Sequence, residues 1–124
     1  HRGERPAMSY DIQLNNPDGT VATVPDGHDL RGGTYVLGGT DDAWLNVTYN
    51  YSPHFYRTMG EKGIRAIYGM TGRESLPMLT QAIDALGADI HPDYWKPTEG
   101  NARAALVNLR QLAMACPDAV WNGD

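Results

Sequence analysis

The chain has 124 residues and a net charge of −5, with 10 Lys and Arg against 15 Asp and Glu. That acidic balance, with the basic residues scattered, argues against nucleic-acid binding, which rests on neutralising phosphates. A single cysteine, Cys116, excludes an internal disulfide and suits a reducing compartment, and no stretch approaches the roughly 20 apolar residues of a membrane-spanning helix.

Residues 1–7 hold Arg2, Glu4, Arg5 and Pro6 without an apolar period. They read as an added leader or a disordered arm, and residues 8–124 as one globular domain. Tyr10-Asp11-Ile12-Gln13-Leu14 alternates as a strand should. Residues 15–19 form a turn in which Pro17 fixes φ and Gly19 suits positive φ. With residues 20–24 as its second strand this predicts a β-hairpin, ended by residues 25–29. Over residues 31–40, two Gly-Gly-Thr units bracket the apolar run Tyr35-Val36-Leu37. The pattern predicts a short third strand between glycine turns; its alternative is a backbone loop that approaches a ligand or anion beside Arg31.

A fourth strand is predicted over residues 43–51. Leu45, Val47, Tyr49 and Tyr51 share a core face, while Asn46, Thr48, Asn50 and Ser52 share the other. A row of uncharged amides and hydroxyls is unusual there, since Asn is depleted in strands. Ser52 is the expected cap of a helix over residues 53–59, with Pro53 in its first turn and Gly60 ending it. Residues 64–68 fit either a strand or a short helix. Leu76, Leu79, Ala82, Ile83 and Leu86 form a stripe that predicts a helix over residues 75–86, with Gly87 as its C-cap; Thr71 and Glu74, spaced as a capping box, offer an earlier start. Residues 89–97 read as a loop. Thr98 caps a last helix, Glu99 sits in its first turn, and the period runs from Ala102 to Cys116 until Pro117 stops it. Val120 and Trp121 are apolar enough to pack in the tail. Strands first and helices second give an α+β class: an antiparallel sheet of three to four strands from the N-terminal half, with two to three helices from the C-terminal half packed on one face.

The chemistry-bearing residues are few. His28 lies between Asp26 and Asp29, and His91 between Asp89 and Asp93, but none of the histidines has a ligand spacing, so neither a metal nor a cofactor is expected. Ser9, Ser52 and Ser75 lie in no nucleophile elbow. Cys116 reads as a small buried apolar residue, its alternative being a thiol activated by His54 or His91. Asp42 and Glu99 are the carboxylates that would join His54 in acid–base work if desolvated.

One constellation stands out. Asn46, Asn50, Tyr51, His54, Tyr94, Trp95 and Asn101 combine amides, aromatic faces and an imidazole, which together can stack on and hydrogen-bond a polar planar ligand or a partner surface. The competing reading is a buried network that ties strand to loop.

The strings "MSYDIQL", "RGGTYVLGGT", "GIRAIYGMTG", "YWKPTEGNA" and "WNGD" together resemble a family of short uncharacterised bacteriophage-encoded proteins, those of mycobacteriophages among them. The resemblance spans residues 8–124. It implies a cytoplasmic accessory role during phage growth or lysogeny and assigns no functional residue. The expected function is non-enzymatic binding of a host protein or a small nucleotide-like ligand, with neither nucleic acid nor membrane as partner. The alternative is a small hydrolase or transferase on a nucleotide-like substrate, using His54 and a carboxylate.

Overall fold

The computed structural model describes residues 9–34 and 39–124. The expected leader and the Tyr35-Val36-Leu37 run of the expected third strand lie outside the described residues. The class is α+β. In chain order the elements are β1 (Ser9–Asn15), β2 (Thr23–His28), β3 (Thr40–Asp42), β4 (Trp44–Thr48), a 3-10 turn (Tyr49–Tyr51), α1 (Ser52–Met59), a second 3-10 turn (Gly63–Ile67), α2 (Gly72–Ala85), α3 (Glu99–Ala115) and β5 (Val120–Gly123).

β1 is the centre of a three-stranded antiparallel sheet ordered β4-β1-β5. Its alternation decides which face is covered: Tyr10, Ile12 and Leu14 are buried, while Asp11 and Gln13 face outward. The expected hairpin partner pairs with β1 only at its end, where the Ala22 amide donates to the Leu14 carbonyl at 2.8 Å. The turn itself forms, with an Asn15–Val21 bridge and an Asn16 amide donating to the Thr20 carbonyl at 2.8 Å. The chain then leaves the sheet, and β2 runs on through Pro25 to His28 in a separate pair with β3. Pro25 donates no hydrogen bond, which suits this two-stranded ribbon better than a central strand. Thr40, placed in a glycine turn by the sequence, instead begins β3 with Asp41 and Asp42.

Four further boundaries differ from the sequence reading. The strand expected over residues 43–51 stops at Thr48, whose buried hydroxyl accepts from the Asn50 amide at 3.2 Å and caps the 3-10 turn instead. Ser52 is thus the first residue of α1 rather than its cap, and its hydroxyl bonds the Tyr10 hydroxyl at 2.6 Å. Residues 63–67, which fit either a strand or a short helix in the sequence, form a short 3-10 helix. α2 starts a turn early because the capping box wins: Thr71 Oγ1 accepts from the Glu74 amide at 3.1 Å, and Glu74 Oε1 accepts from the Thr71 amide at 2.8 Å. Ser75, freed from capping, is buried and accepts from Trp121 Nε1 at 2.8 Å. At the other end, Gly87 does not cap α2; its amide donates to Glu99 Oε1 at 2.8 Å. α3 begins behind Thr98 and ends at Ala115, as its cap and period predict.

β5 is the largest addition to the sequence reading. Trp121 is fully buried, and the strand around it closes the free edge of β1. Both outer edges of the sheet are then covered by irregular backbone. Gly69 donates to Trp121 and Trp121 donates to Met70 along β5, and Thr48 donates to Gly32 along β4. Gly33 sits at φ +90° with its Cα close to Tyr51, where a Cβ would lie 2.5 Å from the phenol oxygen. The first Gly-Gly-Thr unit therefore lets backbone approach β4 and Tyr51 closely. The core joins Ile12, Leu14, Leu45 and Val47 of the sheet to Phe55 of α1, Leu79 and Ile83 of α2, and Leu106 and Leu109 of α3. Among the described residues no helix is long and apolar enough to cross a membrane.

Candidate functional site: a loop held by its carbonyls

The 3-10 turn between β4 and α1 sorts its side chains to two sides. Tyr49 and Ser52 turn toward Tyr10, which stacks edge-on to Tyr49 with 4.6 Å between centroids. Asn50 and Tyr51 turn toward the segment between α2 and α3. That segment, residues 86–98, has no ladder or helix to satisfy its peptide groups. Several of its amides bond within the loop, and side chains from outside it take up its carbonyls.

Five consecutive carbonyls, residues 93–97, each accept a hydrogen bond from a side chain. Asn101 Nδ2 donates to Asp93 at 3.2 Å and to Lys96 at 3.0 Å. The Tyr51 hydroxyl donates to Tyr94, Asn50 Nδ2 to Trp95 at 2.9 Å, and His54 Nε2 to Pro97 at 2.7 Å. Asn101 is the hub. It is 4% exposed, and its Oδ1 also accepts from the His91 amide at 3.0 Å, so three of its four hydrogen-bonding positions are filled by one loop. Backbone approach supports the hub. A Cβ on Gly100 would lie 2.5 Å from the Asp89 carbonyl carbon, so only glycine lets the loop lie this close to the start of α3.

Electrostatics keep these groups in their donor forms. Burial, with the Asp93 charge and Tyr94 adding to it, pushes the Tyr51 phenol up to about 12, so it stays a donor. A carbonyl can only accept, so His54 carries its proton on Nε2. Its Nδ1 then accepts from Arg57 Nη2 at 3.0 Å, and both ring nitrogens are engaged. Arg57 also lies 3.7 Å from Glu99 Oε2, a half-exposed pair of small energetic weight. The Arg31 guanidinium covers the Tyr94 ring 5.6 Å from its centroid, and Asn108 Nδ2 holds the Arg31 carbonyl at 2.7 Å.

Six of the seven residues singled out in the sequence thus meet at this loop: Asn50, Tyr51, His54, Tyr94, Trp95 and Asn101. Asn46 does not. It lies on the outer sheet face opposite Asp11, to whose Oδ1 its Nδ2 donates at 2.9 Å. The shared strand face that linked Asn46 to Asn50 ends where the 3-10 turn begins. Asp42 lies on β3, in the separate ribbon. The sequence reading missed Arg57 and Gly100, which carry no motif. It also missed the reason the amides are there, since their partners are backbone carbonyls that every residue possesses.

The loop exposes two large apolar side chains, Trp95 at 41% and Ile90 at 67%, among the exposed polar Asp89, His91, Asp93 and Lys96, and the Trp95 carbonyl is held from within by Asn50. Among the described residues no group of three His, Cys, Asp or Glu could hold a metal ion. Cys116 is buried, and that burial pushes its thiol up, away from the reactive thiolate. Comparisons of the chain with protein-family models, with curated proteins and with solved structures returned no match.

Proposed function

We propose that this chain is a non-enzymatic binding protein that grips a partner protein through the loop between α2 and α3. The observation that carries this is the conjunction of five internally bonded carbonyls with two outward apolar side chains, Trp95 and Ile90. A loop ordered before binding loses less entropy on binding, and an exposed Trp on a fixed backbone is the kind of anchor that dominates interfaces. Asn50, Tyr51, His54 and Asn101 are then the scaffold, and Trp95 and Ile90 the contact. The resemblance to phage-encoded proteins supports a host protein as the partner, met in the cytoplasm of an infected or lysogenic cell. The net charge of −5 supports a protein rather than a nucleic acid or an anionic membrane.

The enzymatic alternative is less well supported. Acid–base work would ask His54 to exchange a proton, and each of its nitrogens already serves a neighbour. The test is affinity capture from host extract with the wild type and with the double variant Trp95→Ala, Ile90→Ala. The expected result is a specific host protein held by the wild type and released at least about tenfold more readily by the double variant, with both melting at the same temperature. A partner held equally by the double variant, or no host protein held at all, overturns the proposal.

A further inference from the structure

The side chains that the 3-10 turn sends the other way line a second feature. An open cleft of about 310 Å³ is bounded by Tyr10, Tyr49, Ser52, Tyr56 and Arg65. That volume is at the lower end of small-molecule sites, which run from about 300 to 1,000 Å³. The buried Tyr10 ring forms the floor, Tyr49 stands edge-on to it, and Tyr56 is an exposed wall.

Arg65 completes the cleft, and its geometry is specific. The guanidinium lies over the Tyr10 ring, 4.8 Å from the centroid, and Nε donates to the main-chain oxygen of Asp124 at 2.8 Å. Stacking and one hydrogen bond thus fix the plane of the group. Among the described residues neither Nη has a hydrogen-bond or ion-pair partner, so the planar fork that matches a phosphate or carboxylate is left available. No carboxylate lines the cleft. The nearest one known from its contacts, Asp124, has Oδ1 bonded to the Asp11 amide at 2.9 Å. The Tyr68 hydroxyl, outside the cleft lining, is buried without a partner among the described residues, and the charges of Asp124 and Arg65 act on it in opposite directions. The cleft therefore sets an unused guanidinium fork beside aromatic faces.

We infer that this cleft binds a small planar aromatic ring carrying a phosphate or a carboxylate, the ring against Tyr49 and Tyr56 and the anion on the Nη fork of Arg65. The site shares no residue with the loop proposed for the partner protein and stands or falls separately from it. Both anion classes offer the same chemistry, so calorimetric titration uses one of each, AMP and indole-3-acetate, with adenosine and inorganic phosphate as the two halves of the first. The expected result is that AMP or indole-3-acetate binds, and which of them does so names the class. For AMP, adenosine and phosphate should each bind at least about tenfold more weakly, since ring and anion contribute together. Arg65→Gln should weaken the bound ligand by about tenfold or more, as loss of a charge-assisted fork requires. Tyr56→Ala should weaken it less, and Trp95→Ala not at all. Tyr56 is exposed, so its variant carries the test if Arg65→Gln lowers the melting temperature. Binding of neither AMP nor indole-3-acetate overturns the inference, as does AMP binding that adenosine equals or that a folded Arg65→Gln retains.

Discussion

The interface between α2 and α3 and the loop that joins those two helices are held by opposite means. The interface is apolar and closed: Leu79, Ala82 and Ile83 meet Ala102, Ala105, Leu106 and Leu109, and α2 begins so close to α3 that a Cβ on Gly72 would lie 2.7 Å from the Ala113 carbonyl oxygen. The loop is mostly exposed and is held by directed hydrogen bonds from four side chains. Burial is non-directional and accounts for stability. Hydrogen bonds to backbone carbonyls add little net stability each, but they select one backbone conformation. The difference separates what keeps this chain folded from what shapes its surface, and substitutions should pull the two apart.

The largest effect is expected at the interface. Leu109→Ala removes a fully buried side chain and should cost about 2–5 kcal/mol, read as a lower urea midpoint with helices and loop lost in one transition. Asn101→Ala comes next. It leaves the His91 amide and the Asp93 and Lys96 carbonyls without their side-chain partner, for about 2–3 kcal/mol. Its signature should be local loosening of the loop rather than earlier melting of α2 against α3. Tyr51→Phe removes one donor from a buried ring and should cost about 1–2 kcal/mol.

The same phenol gives a pH dependence. Its folded pKa, about 12, lies above the ordinary value of 10, so the folded state holds the proton more tightly than the unfolded chain. Its contribution is fully present below pH 10 and is lost as pH rises toward 12. Denaturation followed from pH 9 to 12 should therefore show a smaller alkaline loss in Tyr51→Phe than in the wild type, with the remaining loss carried by Tyr68 and Tyr10, whose pKa values burial also raises. The smallest effect is expected for Asn50→Ala. Its amide is exposed to water, so replacing its bond to Trp95 should cost less than about 1 kcal/mol.

Legibility in the sequence followed the range of the forces involved. α3 was readable at both ends because cap and period are local and agree, and Gly60 ends α1 for the same reason. α2 was misplaced by a turn because two local signals competed, and the complete reciprocal box at Thr71 and Glu74 prevailed over Ser75-Leu76-Pro77. Strand pairing was not readable. Residues 20–24 are the neighbours of β1 in sequence, yet β4 and β5 are its partners in space, and β5 is a four-residue strand recognisable only by the burial of Trp121. Within the candidate site, composition drew attention to Asn50, Tyr51, His54, Tyr94, Trp95 and Asn101 together. It misjudged Asn46 because a period of two was extended through a turn with a period of three. Backbone acceptors leave no trace in side-chain patterns, so the bonds that give the loop its shape became visible only with the fold.

The loop is fixed by the side chains around it, and amide hydrogen exchange measures that directly. In the wild type the amides of His91, Lys96 and Thr98, which donate to Asn101 Oδ1, Asp93 O and Lys96 O, should exchange well below the unprotected rate. In Asn101→Ala the same three should exchange at least about tenfold faster, while amides inside α2 and α3 keep their wild-type rates. Loop amides that already exchange at the unprotected rate in the wild type, or that do not respond to the loss of Asn101, would contradict it.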